Sequence, residues 1–221
     1  MATIVITGAG RGIGLALTKH YLDRGDKVYG LCRKATKELH ESGAEVVEGV
    51  DVASDADNLA RAMSPLSSVQ IDVLINNAGV LGRDSLENPD TQSIEQQFRV
   101  NALGPLLVTQ ILAPHLHKGS KVAMITSRMG SMADNGSGGY YGYRMSKAAL
   151  NAAGVSLARD LQPRGIAVAL LHPGYVQTEM VSYGGDVSPE VSAERLIKRI
   201  DDLTLQNSGS FWHANGDNLP W

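Results

Sequence analysis

The chain has 221 residues, an ordinary apolar content, a net charge of −3 and one cysteine, Cys32. That length suits a single α/β domain, residues 1–221, with a substantial core. The charge offers no long-range attraction to nucleic acid or an anionic membrane, and one thiol excludes an internal disulfide and fits a reducing compartment.

No stretch approaches the roughly 18 uninterrupted apolar residues of a membrane span. Residues 1–7 lack the basic start and apolar run of a secretory signal, so the expected location is cytoplasmic.

In chain order, short β-like runs alternate with helix-period segments. Ile4-Val5-Ile6 predicts a buried strand, followed by Ile13, Ala16, Leu17 and His20 at helical spacing. Residues 27–31, 45–48, 71–75, 122–125 and 166–171 predict five further strands. A long helix is expected from near Thr91 past Val108. Another is expected on Leu150, Ala153, Gly154, Leu157 and Leu161. Ser188-Pro189-Glu190 reads as a helix start: a capping hydroxyl, a proline at the first position and an acid in the first turn. Strongly apolar strands alternating with helices imply a doubly wound parallel sheet of about seven strands, helices on both faces, with ligands at its carboxyl edge.

The first strand runs into Thr7-Gly8-Ala9-Gly10-Arg11-Gly12-Ile13-Gly14. Glycines at 8, 12 and 14 permit a tight strand-to-helix turn and close approach of a pyrophosphate to the helix N-terminus. After the second strand, where an NAD site carries an acid for the ribose, the chain has Arg33 and Lys34. These, with Arg11, suit the 2′-phosphate of NADP(H). A solvated loop pair is the alternative reading of Arg33 and Lys34.

Tyr143 and Lys147 stand at i and i+4, on one face of a helix. An ammonium beside a phenol lowers its pKa toward the working range of a general acid. Ser127 and Gly130 form S-x-x-G at the end of strand five. Strand four ends in Asn76-Asn77-Ala78-Gly79, and Asn101 lies in the long helix that follows.

With these pieces in order, and with His172-Pro173-Gly174-Tyr175-Val176-Gln177-Thr178 beyond them, the chain resembles the short-chain dehydrogenase/reductase family over residues 3 to about 180. Its length and its ending, Asn215 to Trp221, resemble the C-factor-like or sniffer-like branch. The resemblance implies a Rossmann fold and a catalytic set of Asn101, Ser127, Tyr143 and Lys147. Tyr143 would be the general acid or base and Ser127 would orient the reacting oxygen. Lys147 would hold the nicotinamide ribose, and Asn101 would hold a relay water. It also implies that Asp51, Val52, Asn77, Ala78 and Gly79 line the adenosine. Pro173, Gly174, Val176 and Thr178 would meet the nicotinamide end, with Gly8, Arg11, Gly12, Ile13 and Gly14 at the phosphates. Asp51 as a helix cap and Asn101 as a satisfied polar residue are the structural alternatives.

The Ser127–Tyr143 interval is longer than the family's usual one, which makes Ser131, Tyr140 and Tyr141 rivals. The short loop from Thr178 to Ser188 suggests an open or mobile site. His115 and His117, two apart, point to different sides of a helix, and no metal site is expected. Phe211, Trp212 and Trp221 suggest that the C-terminal segment docks on the body or on a partner.

The expected activity is NADP(H)-dependent interconversion of a carbonyl and an alcohol, in a homodimer or homotetramer. A dinucleotide-binding signalling protein on the same fold is the alternative. A sugar epimerase is disfavoured because little chain follows strand six.

Overall fold

The computed structural model describes residues 1–221. Seven parallel strands form one sheet in the order β3-β2-β1-β4-β5-β6-β7. They are β1 (Thr3–Thr7), β2 (Lys27–Leu31), β3 (Glu45–Val47), β4 (Ile71–Asn76), β5 (Leu116–Ile125), β6 (Ala167–His172) and β7 (Phe211–His213). The order reverses beside β1, whose neighbours are β2 and β4. Crossover helices leave loops at the carboxyl ends of these strands, and there the sheet opens a crevice.

The helices are α1 (Gly12–Asp23), α2 (Lys37–His40), α3 (Ala56–Ala62), α4 (Thr91–Phe98), α5 (Gly104–Leu112), α6 (Tyr141–Leu161) and α7 (Pro189–Asp201). Strand alternation divides the core into two layers. Ile4 and Ile6 of β1 face α1 and α7, packing with Leu17, Leu196 and Ile197. Val5 faces the opposite side, with Leu59 of α3, Val108 and Leu112 of α5 and Leu150 of α6. Each fully buried aliphatic side chain contributes about 1.5–3 kcal/mol, so both faces are needed.

The structure adds three features to the sequence reading. The expected long helix carries a π-helical step, Arg99–Leu103, between α4 and α5. β5 begins at Leu116, so His117 lies in a strand rather than on a helix, and its Nε2 meets Asp72 at 3.0 Å. The seventh strand is Phe211–His213, paired with β6. Trp221 stacks on Phe211, which docks the C-terminal segment on the body.

Candidate active site

β1 ends at Thr7, and the chain turns through Gly8 and Gly12, both at positive φ, into α1. A Cβ on Gly14 would lie 2.2 Å from the Gly8 carbonyl oxygen and 2.6 Å from Asn77 Nδ2, so only glycine fits there. α2, α3, α4 and α7 are closed by the side chains of Thr36, Asp55, Asp90 and Ser188. α1 is not: Arg11 makes no capping bond and the first turn has no acid. The helix start is an open cradle of N–H donors beside the crevice, which fits a pyrophosphate. Ile13 is half-buried against the α1–α7 layer.

Arg33 and Lys34 are exposed beyond β2 and make no ion pair. Arg11, expected at the 2′-phosphate, is paired with Glu179 from the loop after β6. Asn77 donates through Nδ2 to the carbonyls of Thr7 and Gly8 at 3.0 and 3.2 Å, so its amide ties the glycine turn to β4. Thr7 Oγ1 accepts from the N–H groups of Asn77 and Ala78. Asp51 accepts from Ala53 N at 3.0 Å, while the cap of α3 is Asp55. Val52 is buried against α5.

The catalytic candidates converge at the start of α6. Lys147 is 4 % exposed and donates through Nζ to the carbonyl of Ile125, the last residue of β5, at 2.8 Å. Its Nζ lies 5.8 Å from the centre of the Tyr143 ring. Burial pulls the Lys147 ammonium down to about 7. Burial pushes the Tyr143 phenol up to about 12, and the neighbouring Ser127 hydroxyl opposes that rise. Gly79 touches this group too, because a Cβ there would stand 3.3 Å from Asn101 Oδ1 and 3.8 Å from Lys147 Nζ.

Asn101 is fully buried at the centre of the π-helical step. Its side chain clasps Val80, accepting from the N–H and donating to the carbonyl, both at 2.8 Å. It also donates to Ser146 Oγ at 3.0 Å. Pro105, four residues on, has no N–H to give the Asn101 carbonyl, so that oxygen lacks its α-helical donor.

Ser127, two residues beyond β5, is in extended geometry, its Oγ accepting from Met129 N at 3.1 Å. The glycine of S-x-x-G is a packing residue: a Cβ on Gly130 would lie 2.7 Å from the Lys147 carbonyl carbon. Asn151 of α6 holds the same loop, accepting from Thr126 Oγ1 at 2.7 Å and donating to the Gly130 carbonyl at 3.4 Å. The Ser131 hydroxyl turns into its own loop and accepts from Asp134 N at 3.1 Å. Tyr140 sits before α6 in left-handed geometry and Tyr141 is exposed. The rivals are thus drawn aside, while Ser127 and Tyr143 meet.

On the far rim, Pro173 O accepts from Ser192 Oγ at 2.8 Å, and Gly174 takes a φ of 93° beside the His213 ring. Val176 is buried and bridges to Val187; Thr178 packs over Gly12. The short loop beyond is not loose. Asp186 N donates to Tyr175 O at 2.7 Å, and Tyr183 N to Thr178 O at 2.9 Å.

Residues 2–186 match the model of the short chain dehydrogenase family. The chain belongs to this family.

Within it, the chain is 39 % identical over the full length of both proteins to a 1-hydroxy-2-glutathionyl-2-methyl-3-butene dehydrogenase of a Rhodococcus species. It is 46 % identical to the C-signal protein of Myxococcus xanthus, over 68 % of this chain and 93 % of that one. The solved NADPH-bound carbonyl reductase from chicken fatty liver superimposes with a TM-score of 0.90 at 26 % identity, covering 100 % of this chain and 99 % of its own.

Sequence reasoning missed several parts of this short-chain dehydrogenase's site. Asp84 and Gln97 are buried on the loop after β4 and on α4, and Glu179 pairs with Arg11. None stands in a motif, and Asp84 and Glu179 are recruited by partners 58 and 168 residues away in the chain. No helix is long and apolar enough to cross a membrane.

Proposed function

We propose that the protein is an NADP(H)-dependent oxidoreductase that interconverts a carbonyl and an alcohol. The observation that carries this reading is the meeting of Ser127, Tyr143 and Lys147 at the carboxyl edge of the sheet, beside an uncapped glycine-rich helix start. The named activities of the Rhodococcus dehydrogenase and the avian carbonyl reductase support it.

The cradle formed by Gly8, Gly12, Ile13 and Gly14 would hold the pyrophosphate. Arg33 and Lys34 would hold the 2′-phosphate, Asp51, Val52 and Asn77 to Gly79 the adenosine side, and Pro173, Gly174, Val176 and Thr178 the nicotinamide end. When bound, the cofactor supplies or accepts the hydride.

The chain's own residues handle the proton. Ser127 donates a hydrogen bond to the substrate oxygen and fixes its position. Tyr143 protonates that oxygen in reduction and takes the proton back in oxidation. A phenol near 12 is a weak acid at neutral pH. A protonated Lys147 beside it favours the phenolate, and its N–H groups not used on Ile125 would hold the ribose. The backbone carbonyl of Asn101, left without its α-helical donor by Pro105, would suit a relay of that proton to solvent.

The decisive test is NADPH consumption against aldehydes, ketones and diketones, with NADH in parallel. Tyr143→Phe should retain cofactor binding and lose turnover by at least about a thousandfold. Turnover retained in that variant would overturn the assignment.

The likeness to C-signal favours a second reading, a dinucleotide-binding signalling protein with incidental turnover. Tight NADPH binding with no turnover on any substrate would select it. We further propose a cytoplasmic protein that pairs with a second copy through the face of α4, α5 and α6, where Phe98, Leu106 and Met145 are exposed.

A further inference from the structure

Asp84 is the only carboxylate in the molecule that is almost fully buried, at 7 % exposure. It lies on the loop after β4, amid Arg83, Ser85, Glu87 and Asp90. Its two oxygens accept from Gly142 N, in the first turn of α6, at 3.3 and 3.2 Å. Its backbone carbonyl accepts from Tyr140 N at 3.0 Å. Tyr140 itself makes no capping bond, and the first turn of α6 has no acid. α6 is therefore closed by a carboxylate imported from 58 residues upstream. The same turn is pressed onto α4: a Cβ on Gly142 would stand 2.6 Å from Gln97 Nε2 and 3.0 Å from Ile94 Cα. Gln97 in turn accepts from Gly82 N at 2.9 Å, two residues before Asp84. The next residue along α6 is Tyr143.

We infer that Asp84 is a positioning residue of the reaction, fixing the first turn of α6 so that the Tyr143 phenol faces Ser127, and setting the charge at that end of the helix. The positive end of a helix dipole favours a phenolate in its first turn, and a carboxylate at the same end opposes that. Loss of the Asp84 charge with its shape retained makes Tyr143 more acidic.

Other charged groups share the environment. Lys147 faces the ring from α6. Arg144, on the same helix, is turned toward Gly139 O and Ser137 Oγ. Arg128 and Asp134 pair on the serine loop. His172 lies at the end of β6, and Arg83 precedes Asp84. None of them bonds Gly142; Asp84 is the charged group hydrogen-bonded to the backbone of that turn.

The inference rests on Tyr143 as the proton donor. The test is the pH profile of kcat/KM for reduction of the best carbonyl substrate, together with NADPH affinity. Asp84→Asn retains an acceptor for Gly142 N–H and removes the charge. Its alkaline limb should move to lower pH by about half a unit, with NADPH affinity unchanged. Asp84→Glu, which keeps the charge, should retain the wild-type limb. Asp84→Ala should lower kcat about tenfold with little change in KM.

A purely structural cap would lower activity equally at every pH. An Asp84→Asn profile superimposable on wild type, or a limb moved equally by Asp84→Glu, overturns the inference. Tyr143→Phe separates the two failures. Turnover persisting there sinks the donor assignment; turnover lost there, with an unmoved limb in Asp84→Asn, sinks the role of Asp84 alone.

Discussion

The two helices that frame the site begin in opposite ways. α1 starts on glycines, without a capping side chain or an acid, and leaves its first-turn N–H groups facing the crevice. α6 starts just after a left-handed tyrosine, and a buried carboxylate from another loop meets its first turn. Every helix begins with N–H groups that lack intrahelical partners. On the proposed reading, they stay open where a ligand's anion would bind and meet the chain's own anion where a phenol is to be held. An unsatisfied helix end thus acts as a binding site or as a fastening, depending on which anion arrives.

The contrast extends to buried charge, and that gives the largest test. The α1 end holds no buried ionisable group, whereas the α6 end holds Lys147 with its ammonium pulled from 10.5 down to about 7. A depressed folded-state value means the unfolded chain binds more protons between those limits. Stability from this group is fully present above about 10.5 and is lost as pH falls through about 7. In the cofactor-free protein, unfolding free energy should climb by up to about 5 kcal/mol over this window. Lys147→Met should flatten the climb in urea titrations at pH 7, 8 and 9. Parallel slopes for the two proteins would refute the assignment of the climb to Lys147.

Closing the open end comes next in size. Gly14→Ala places a methyl group against the Gly8 carbonyl and the Asn77 amide. It should cost about 3 kcal/mol and weaken NADPH at least about a hundredfold, as read by fluorescence titration. Undiminished affinity would show that the loop accommodates the side chain and that the cradle is not this close.

The smallest effect sharpens the cofactor side of the comparison. Arg33→Ala should weaken NADPH about tenfold and leave NADH unchanged, because one charge-assisted bond to the 2′-phosphate is lost. Equal losses for both cofactors would move the 2′-phosphate elsewhere.

The difference between the two ends also explains what could be read from the chain alone. The α1 end is local: strand, glycine turn and amphipathic helix follow one another within residues 3–23, so pattern and spacing carry it. The Tyr143–Lys147 pair is local as well. Asp84 carries no local signal, because it sits among other polar loop residues and acquires its role only when β4 and α6 meet. β7 is three residues long and exists because β6 offers an edge, and no run of alternation announces it. The start of β5 is hidden by the polar stretch His117 to Ser120. The π-helical step at Asn101 is invisible to a 3.6-residue period, although Pro105 marks where the ordinary ladder fails. Arg11 was legible as a cation, but its partner Glu179 comes from the opposite end of the chain.

The contact between Gly130 and the backbone of Lys147 makes the site modular. Both ends of the segment that follows Gly130 are anchored to α6, one by this contact and the other by the helix start itself. Residues 132–139 thus span two points already fixed on α6, and the separation of Ser127 and Tyr143 is held by the Gly130 contact and the helix beneath this stretch.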